Sequence, residues 1–235
     1  QAVQDAADAG YTFYFGSELE FYLFKTDEDG NPTDIPWDEG GYMDIAPEDK
    51  GENVRREICL TLAQMGITPE SSHHEEGPGQ NEIDFRYNST MNAADNLATF
   101  KMAVRTIASQ DGLFASFLPK PLDDKSGSGL HVNLSLYKDG QNLFGKENPF
   151  AKSFVAGILS HIKEITAFLN PLQQSYKRFG EFEAPKYINW SYQNRSPLIR
   201  IPAATGDAVR IELRSPDPSC NQYIGLALII AAGLD

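Results

Sequence analysis

The stretch Phe15-Gly16-Ser17-Glu18-Leu19-Glu20-Phe21-Tyr22-Leu23-Phe24 constrains the chain most. Four of its ten residues are aromatic, which suits a pleated strand. In a strand, alternate side chains share a face. Glu18 and Glu20 therefore point one way, and Leu19, Phe21 and Leu23 point the other. Two like charges at i and i+2 on so apolar a strand repel each other unless a cation sits between them. The first expectation is a metal site built on a buried sheet. A solvated strand face remains open on this stretch alone.

Three further stretches repeat the pattern. From Gly129, Leu130, Val132, Leu134 and Leu136 oppose His131, Asn133 and Ser135. From Asn81, Ile83, Phe85 and Tyr87 oppose Glu82, Asp84 and Arg86. From Ala208, Val209, Ile211 and Leu213 oppose Arg210, Glu212 and Arg214. Each strand has one face fit for packing on helices. Its other face carries Glu, His and Arg where a merely wet face would favour Lys and Thr. Carboxylates with one imidazole suit Mg²⁺ or Mn²⁺ better than a thiolate-rich zinc site does. Arginine forks bind phosphate bidentately.

Helical spacing marks residues 52–65, 92–109 and 151–169, with an Ala-rich helix at 2–9 and a final apolar helix from about Asn221. Strands are expected at 11–25, 80–87, 113–118, 129–137, 188–192, 198–201 and 208–214. Asp139-Gly140 marks a hairpin leading toward Leu143. Residues 26–45, 71–79, 119–128 and 171–184 read as loops or hairpins. His73 and His74 point to opposite faces of any extended chain and read as ordinary loop or strand-end histidines. Lys125-Ser126-Gly127-Ser128-Gly129 allows close backbone approach to a ligand. Strands mixed with helices, with hairpins between strands, predict an α+β domain with a curved, mainly antiparallel sheet and helices on its apolar face.

Composition narrows the partners. Lys and Arg number 20 against 33 Asp and Glu, a net charge of −13, and no basic patch offsets it. Nucleic acid is therefore not an expected partner. The most apolar run, residues 224–234, is too short to span a bilayer, so no membrane association is expected. Two cysteines, Cys59 and Cys220, suggest no disulfide framework, which fits a cytoplasmic protein.

Five ordered motifs resemble the prokaryotic-type (class I) glutamine synthetases. They are Gly16-Ser17-Glu18-Leu19-Glu20-Phe21, the run from His73-His74-Glu75 to Asn81-Glu82, Gly127-Ser128-Gly129-Leu130-His131, Asn194 through Pro202, and Arg210 through Pro218. The resemblance runs through nearly the whole chain. It implies an ATP-dependent ligase that phosphorylates the γ-carboxylate of glutamate and then exchanges phosphate for ammonia. By the same resemblance, Glu20, Glu75 and Glu82 would hold one Mg²⁺ or Mn²⁺, with Glu76 the competing choice to Glu75, and Glu18, His131 and Glu212 a second. Arg195, Arg200 and Arg210 match nucleotide and phosphate arginines. Arg178 and Arg214 match those gripping the glutamate carboxylates, and Gly127 belongs to the glutamate-binding loop. Ser135 lies near the nucleotide, and Glu183 matches the loop glutamate that shields the intermediate.

The chain departs from the family at Ser126, where Asn is usual, and at Asn133, where many members have a second histidine. The segment 176–185 is one residue short. These changes bear on the amino-acid substrate more than on phosphoryl transfer, and leave open a γ-glutamyl ligase acting on another amine. A non-catalytic structural or regulatory relative is the remaining alternative. Residues 1–235 are expected to form the central part of a catalytic domain from a double-ring homo-oligomer. A small N-terminal domain and a C-terminal remainder lie outside them, so the segment alone is expected to be inactive.

Overall fold

A computed structural model describes residues 1–145 and 148–235. Its centre is strand β1 (Tyr11–Thr26), sixteen residues long. The alternation read from sequence holds: Phe13, Phe15, Leu19, Phe21 and Leu23 are buried in the core, while Glu18 and Glu20 face the other side with Tyr22. β1 pairs antiparallel with β4 (Gln80–Ser89) on one edge and with β6 (Leu130–Lys138) on the other. Near its C-terminal end it also pairs with β2 (Pro32–Pro36) and β5 (Leu113–Ser116).

The sheet continues outward from these strands. β3 (Pro69–His74) flanks β4, and β10 (Ile211–Leu213) flanks β6, followed by β9 (Ile199–Ile201) and β8 (Trp190–Tyr192). The two-residue β7 (Gln141–Asn142) closes the Asp139-Gly140 hairpin onto β6. Every pairing is antiparallel except β8 with β9. The architecture is α+β.

Helices cover the apolar face. They are α1 (Ala2–Asp8), α2 (Glu52–Gln64), α3 (Thr90–Gln110), α4 (Pro149–Leu169) and α6 (Gln222–Leu234), while the short α5 (Gln173–Arg178) carries Arg178 to the cavity on the polar face. Aromatic rings knit the two layers. Phe100 of α3 lies 6.2 Å from Phe21 and 5.5 Å from Phe85, and Phe154 of α4 lies 5.6 Å from Phe13. α4 has Pro149 in its first turn and Asn148 as its cap, whose side chain accepts from the Phe150 amide.

The structure corrects three sequence expectations. Residues 69–74 form β3 where 71–79 read as loop, because polarity hid a strand that has one face toward a polar cavity. Residues 173–178 form α5 inside the expected loop 171–184. The strand expected at 208–214 is shorter, since residues 206–208 turn as a 3-10 helix before β10.

Candidate active site

Strand register brings the polar residues together. Across β1 and β6, Glu18 faces His131; across β1 and β4, Glu18 faces Asp84 and Glu20 faces Glu82. Asn133 of β6 faces Glu212 of β10, and His73 of β3 faces Glu82. All lie on the sheet face opposite the helices, on the three central strands and their flanks.

Glu18, His131 and Glu212 form one compact group whose candidate donor atoms lie within 4.8 Å of one another. His131 Nδ1 lies 3.3 Å from Glu18 and 3.8 Å from Glu212. Glu82 belongs to two more groups, one with Glu20 and His131 and one with His73 and Glu75. Glu75 thus joins Glu82 through His73, whose ring lies 3.0 Å from Glu82 and 3.6 Å from Glu75. The 3.3 and 3.8 Å separations at His131 fit donors meeting one ion at ~2.1 Å each, and the oxygen-rich, thiol-free donor set suits Mg²⁺ or Mn²⁺.

A fourth group, Asp38, Asp49 and His74, is closed to an ion. Arg55 holds Asp49 with two bonds of 3.0 and 2.6 Å. Asp38 accepts from His74 and from the amides of Gly40, Lys50 and Gly79. This is a structural network. His74 belongs to it, while His73 faces the cavity.

Burial raises Glu20, Glu75, Glu82 and Asp84, and repulsion from neighbouring carboxylates adds to it. Glu82 is pushed up to about 8, by burial first and then by the charges of Glu75 and Glu18. Asp84 is pushed to about 9 by burial, Glu82 and Glu18. Burial with Glu82 and Glu75 raises Glu20 well above its usual range, against Arg178 and the Gly129 amide. Glu18 is the exception. Burial works upward there too, but His131, Asn133 and Arg214 outweigh it and hold the carboxyl at about 2. Burial and the Arg214 charge lower His131, favouring the neutral imidazole that binds metals.

Arginines frame the acids. Arg200 and Arg214 donate to the two oxygens of Glu212 at 2.6 and 2.8 Å, fixing its carboxylate plane. The Nε atoms of both are buried without a partner among the described residues. Arg210 donates to the side-chain oxygen of Asn133 at 3.0 Å, and the Asn133 side-chain amide in turn donates to Glu18 at 2.8 Å. Arg178 is buried, its guanidinium donating to the carbonyls of Ser215 and Arg214. It lies under the glycine loop so closely that a Cβ on Gly129 would sit 2.8 Å from both Arg178 Nη2 and His131 Nε2. Only glycine fits there. Exposed Glu183 lies 3.9 Å from Arg195 and 4.0 Å from Arg214.

Two cavities open on this face. One, of about 340 Å³, is lined by the acids with Ser126, Gly127, Arg178, Glu183, Arg195 and Arg214. The other, of about 330 Å³, is lined by Tyr14, Gly16, Asn133, Ser135 and Arg210. Glu18, Asp84 and Arg210 border both, so the cavities meet at the carboxylates.

The glutamine synthetase catalytic-domain family model matches residues 1–235. The chain belongs to this family. It is 51% identical over 242 residues to a glutamine synthetase of Clostridium saccharobutylicum, with 100% of the chain and 55% of the relative covered. It is 50% identical over 241 residues to one of Methanosarcina mazei, covering 54% of that protein. The chain therefore spans about half the length of these relatives. Among solved structures, a Plasmodium falciparum glutamine synthetase superposes with a TM-score of 0.90 at 28% identity, over 100% of this chain and 53% of that one. A GmaS/ADP complex gives 0.88 at 34%, over 100% and 56%.

Every residue expected at the site lines one of these cavities or, as Glu212 does, bonds directly to residues that line them. The grouping differs in one respect: Glu20 and Glu75 both approach Glu82, but from different groups. Sequence reading missed three participants. His73 shares strand parity with Glu75, a signal lost once 71–79 read as loop. Gln80 donates to Glu20 at 3.0 Å. Tyr42 stacks edge-on against His73 at 5.7 Å and lines the acidic cavity, from a loop with no periodic pattern to mark it.

Proposed function

We propose that residues 1–235 are the central part of the catalytic domain of an ATP-dependent ligase that makes glutamine from glutamate and ammonia through a γ-glutamyl phosphate. The observation that carries this reading is the meeting of two cavities at one cluster of carboxylates flanked by arginines. A reaction between an amino acid and a nucleotide needs two entrances and one point of contact. That a structural relative was solved with ADP supports a nucleotide on one side.

In this reading Glu18, His131 and Glu212 would hold one divalent cation, and Glu82 with Glu20 and Glu75 the other. Bound there, such ions neutralise the charge of the transferring phosphoryl group. Arg200 and Arg214 hold the Glu212 carboxylate in place, and Arg210 orients Asn133 and through it Glu18. Arg178 and Arg214, with the Ser126–Gly127 loop, bound the amino-acid side. Ser135 and Asn133 lie on the nucleotide side. Glu183 stands at the rim, placed to cover the activated carboxyl and keep water from it.

Two measurements test this. Phosphate release from ATP by the full-length protein is expected to require glutamate and to be faster with ammonia than with methylamine or a polyamine. Ser126 supports a second reading, a γ-glutamyl ligase for a larger amine, and faster release with an amine would favour it. Calorimetry is expected to show Mn²⁺ binding weakened at least tenfold by Glu20→Gln and by Glu212→Gln. Binding insensitive to both would favour a non-catalytic relative.

A further inference from the structure

Lys120 is buried to 3% exposure, yet the described residues place no carboxylate within ion-pairing distance of it. Its ammonium donates instead to the backbone carbonyl of Lys125, at the base of the Ser126–Gly127 loop. It also lies 5.0 Å from the centre of the Phe182 ring. A buried lysine with a carbonyl and a ring face for partners is costly unless it joins two things.

Phe182 adds an independent observation. It is more than half exposed, and its backbone sits at φ +51°. A bulky aromatic residue in the left-handed region is strained and stays there only when its surroundings hold it. The next residue is Glu183. Within the loop, Gly180 N donates to Ala184 O at 3.3 Å and Ala184 N to Glu181 O at 3.0 Å. Those bonds shape the loop. Glu183 reaches Arg195 and Arg214 only at 3.9 and 4.0 Å, and the Lys120 ammonium supplies a separate tie, from Phe182 to the glycine loop.

We propose that Lys120 is a positioning residue that seats the Glu183 loop, through Phe182, on the glycine loop, and so keeps water out of the amino-acid cavity during reaction. The proposal rests on the ligase reading above. If the seat loosens, water competes with ammonia: its oxygen bonds to the acyl carbon, and the bond from that carbon to the phosphate oxygen breaks. Glutamate and phosphate leave, with one proton on the phosphate and one in solvent. ATP is then spent without amide.

The test uses Lys120→Met, which keeps the apolar stem, and Phe182→Leu, both in the full-length protein. Phosphate released per amide formed is expected to rise from one to about two or more, with KM for ATP unchanged, if a contact of cation–π strength is what holds the loop. Hydrogen exchange at residues 180–184 is expected to rise roughly threefold on the same grounds, with α2 unaffected. A ratio of one together with unchanged exchange in both variants overturns the proposal. Should Lys120→Met fail to fold, surface-exposed Phe182→Leu decides alone. Should the unaltered protein release no glutamate-dependent phosphate, the ligase reading fails, and exchange at 180–184 still judges the seat.

Discussion

Glu212 shows how single residues bind this site together. It is wholly buried between Arg200 and Arg214, and beside His131. Removing one member of a buried ionic group leaves the others uncompensated, at ~3–5 kcal/mol. Glu212→Ala is therefore expected to lower unfolding stability by ~3 kcal/mol in urea titrations, and Glu212→Gln by clearly less. Cys220 makes a contrasting case. Burial pushes its thiol up to about 12, so it stays protonated and shielded. Iodoacetamide at pH 8 is expected to spare it in the folded protein and label it fully in urea. Its linkage has a definite sign: the unfolded thiol releases its proton near 9.0, the folded one near 12, so stability falls as pH climbs through that window.

Among elements, α4 and α6 depend on closeness. A Cβ on Gly157 of α4 would collide with the Ala232 carbonyl of α6. Gly157→Ala is expected to cost ~1–3 kcal/mol of stability despite its better helix propensity, read as a shift in denaturation midpoint. The start of α6 is set by Asn221, whose side chain accepts from the amides of Tyr223 and Ile224 at 3.1 and 3.2 Å. Asn221→Ala is expected to cost ~1 kcal/mol by the same measurement. Elements also differ in how far sequence betrays them. The strict alternation of β1, β4 and β6 makes the shared face of Glu18, Glu20, Glu82 and His131 legible from residue order alone, because register leaves a period of two. β3 escaped because Ser71, Ser72 and His73 have no apolar partners to mark a period. Its strandedness comes from pairing with β4, a tertiary fact. α5 escaped for a similar reason, being short and polar. Lys120 and Phe182 lie 62 positions apart, and nothing local predicts their meeting.

At the scale of the whole molecule, a net charge of −13 and a knot of raised carboxyl groups on one sheet face set the response to cations. Mn²⁺ at a hundred times its dissociation constant is expected to stabilise the folded chain by ~2.7 kcal/mol per site, with EDTA reversing the rise in melting temperature. Ca²⁺ at the same charge but larger radius is expected to give a smaller rise, which separates site binding from screening. None of the helices described is long and apolar enough to cross a membrane. Glu18 and Glu20 hang from one extended strand, two peptide units apart, a step of ~6.6–6.8 Å that covalent geometry alone dictates. The spacing at which the two carboxylate side chains leave the strand is thus inherited from bond lengths rather than from packing. Substitutions in the helical layer can loosen or tighten the protein without changing that gauge, so sequence drift there is free to tune stability while the step between the two carboxylates stays constant.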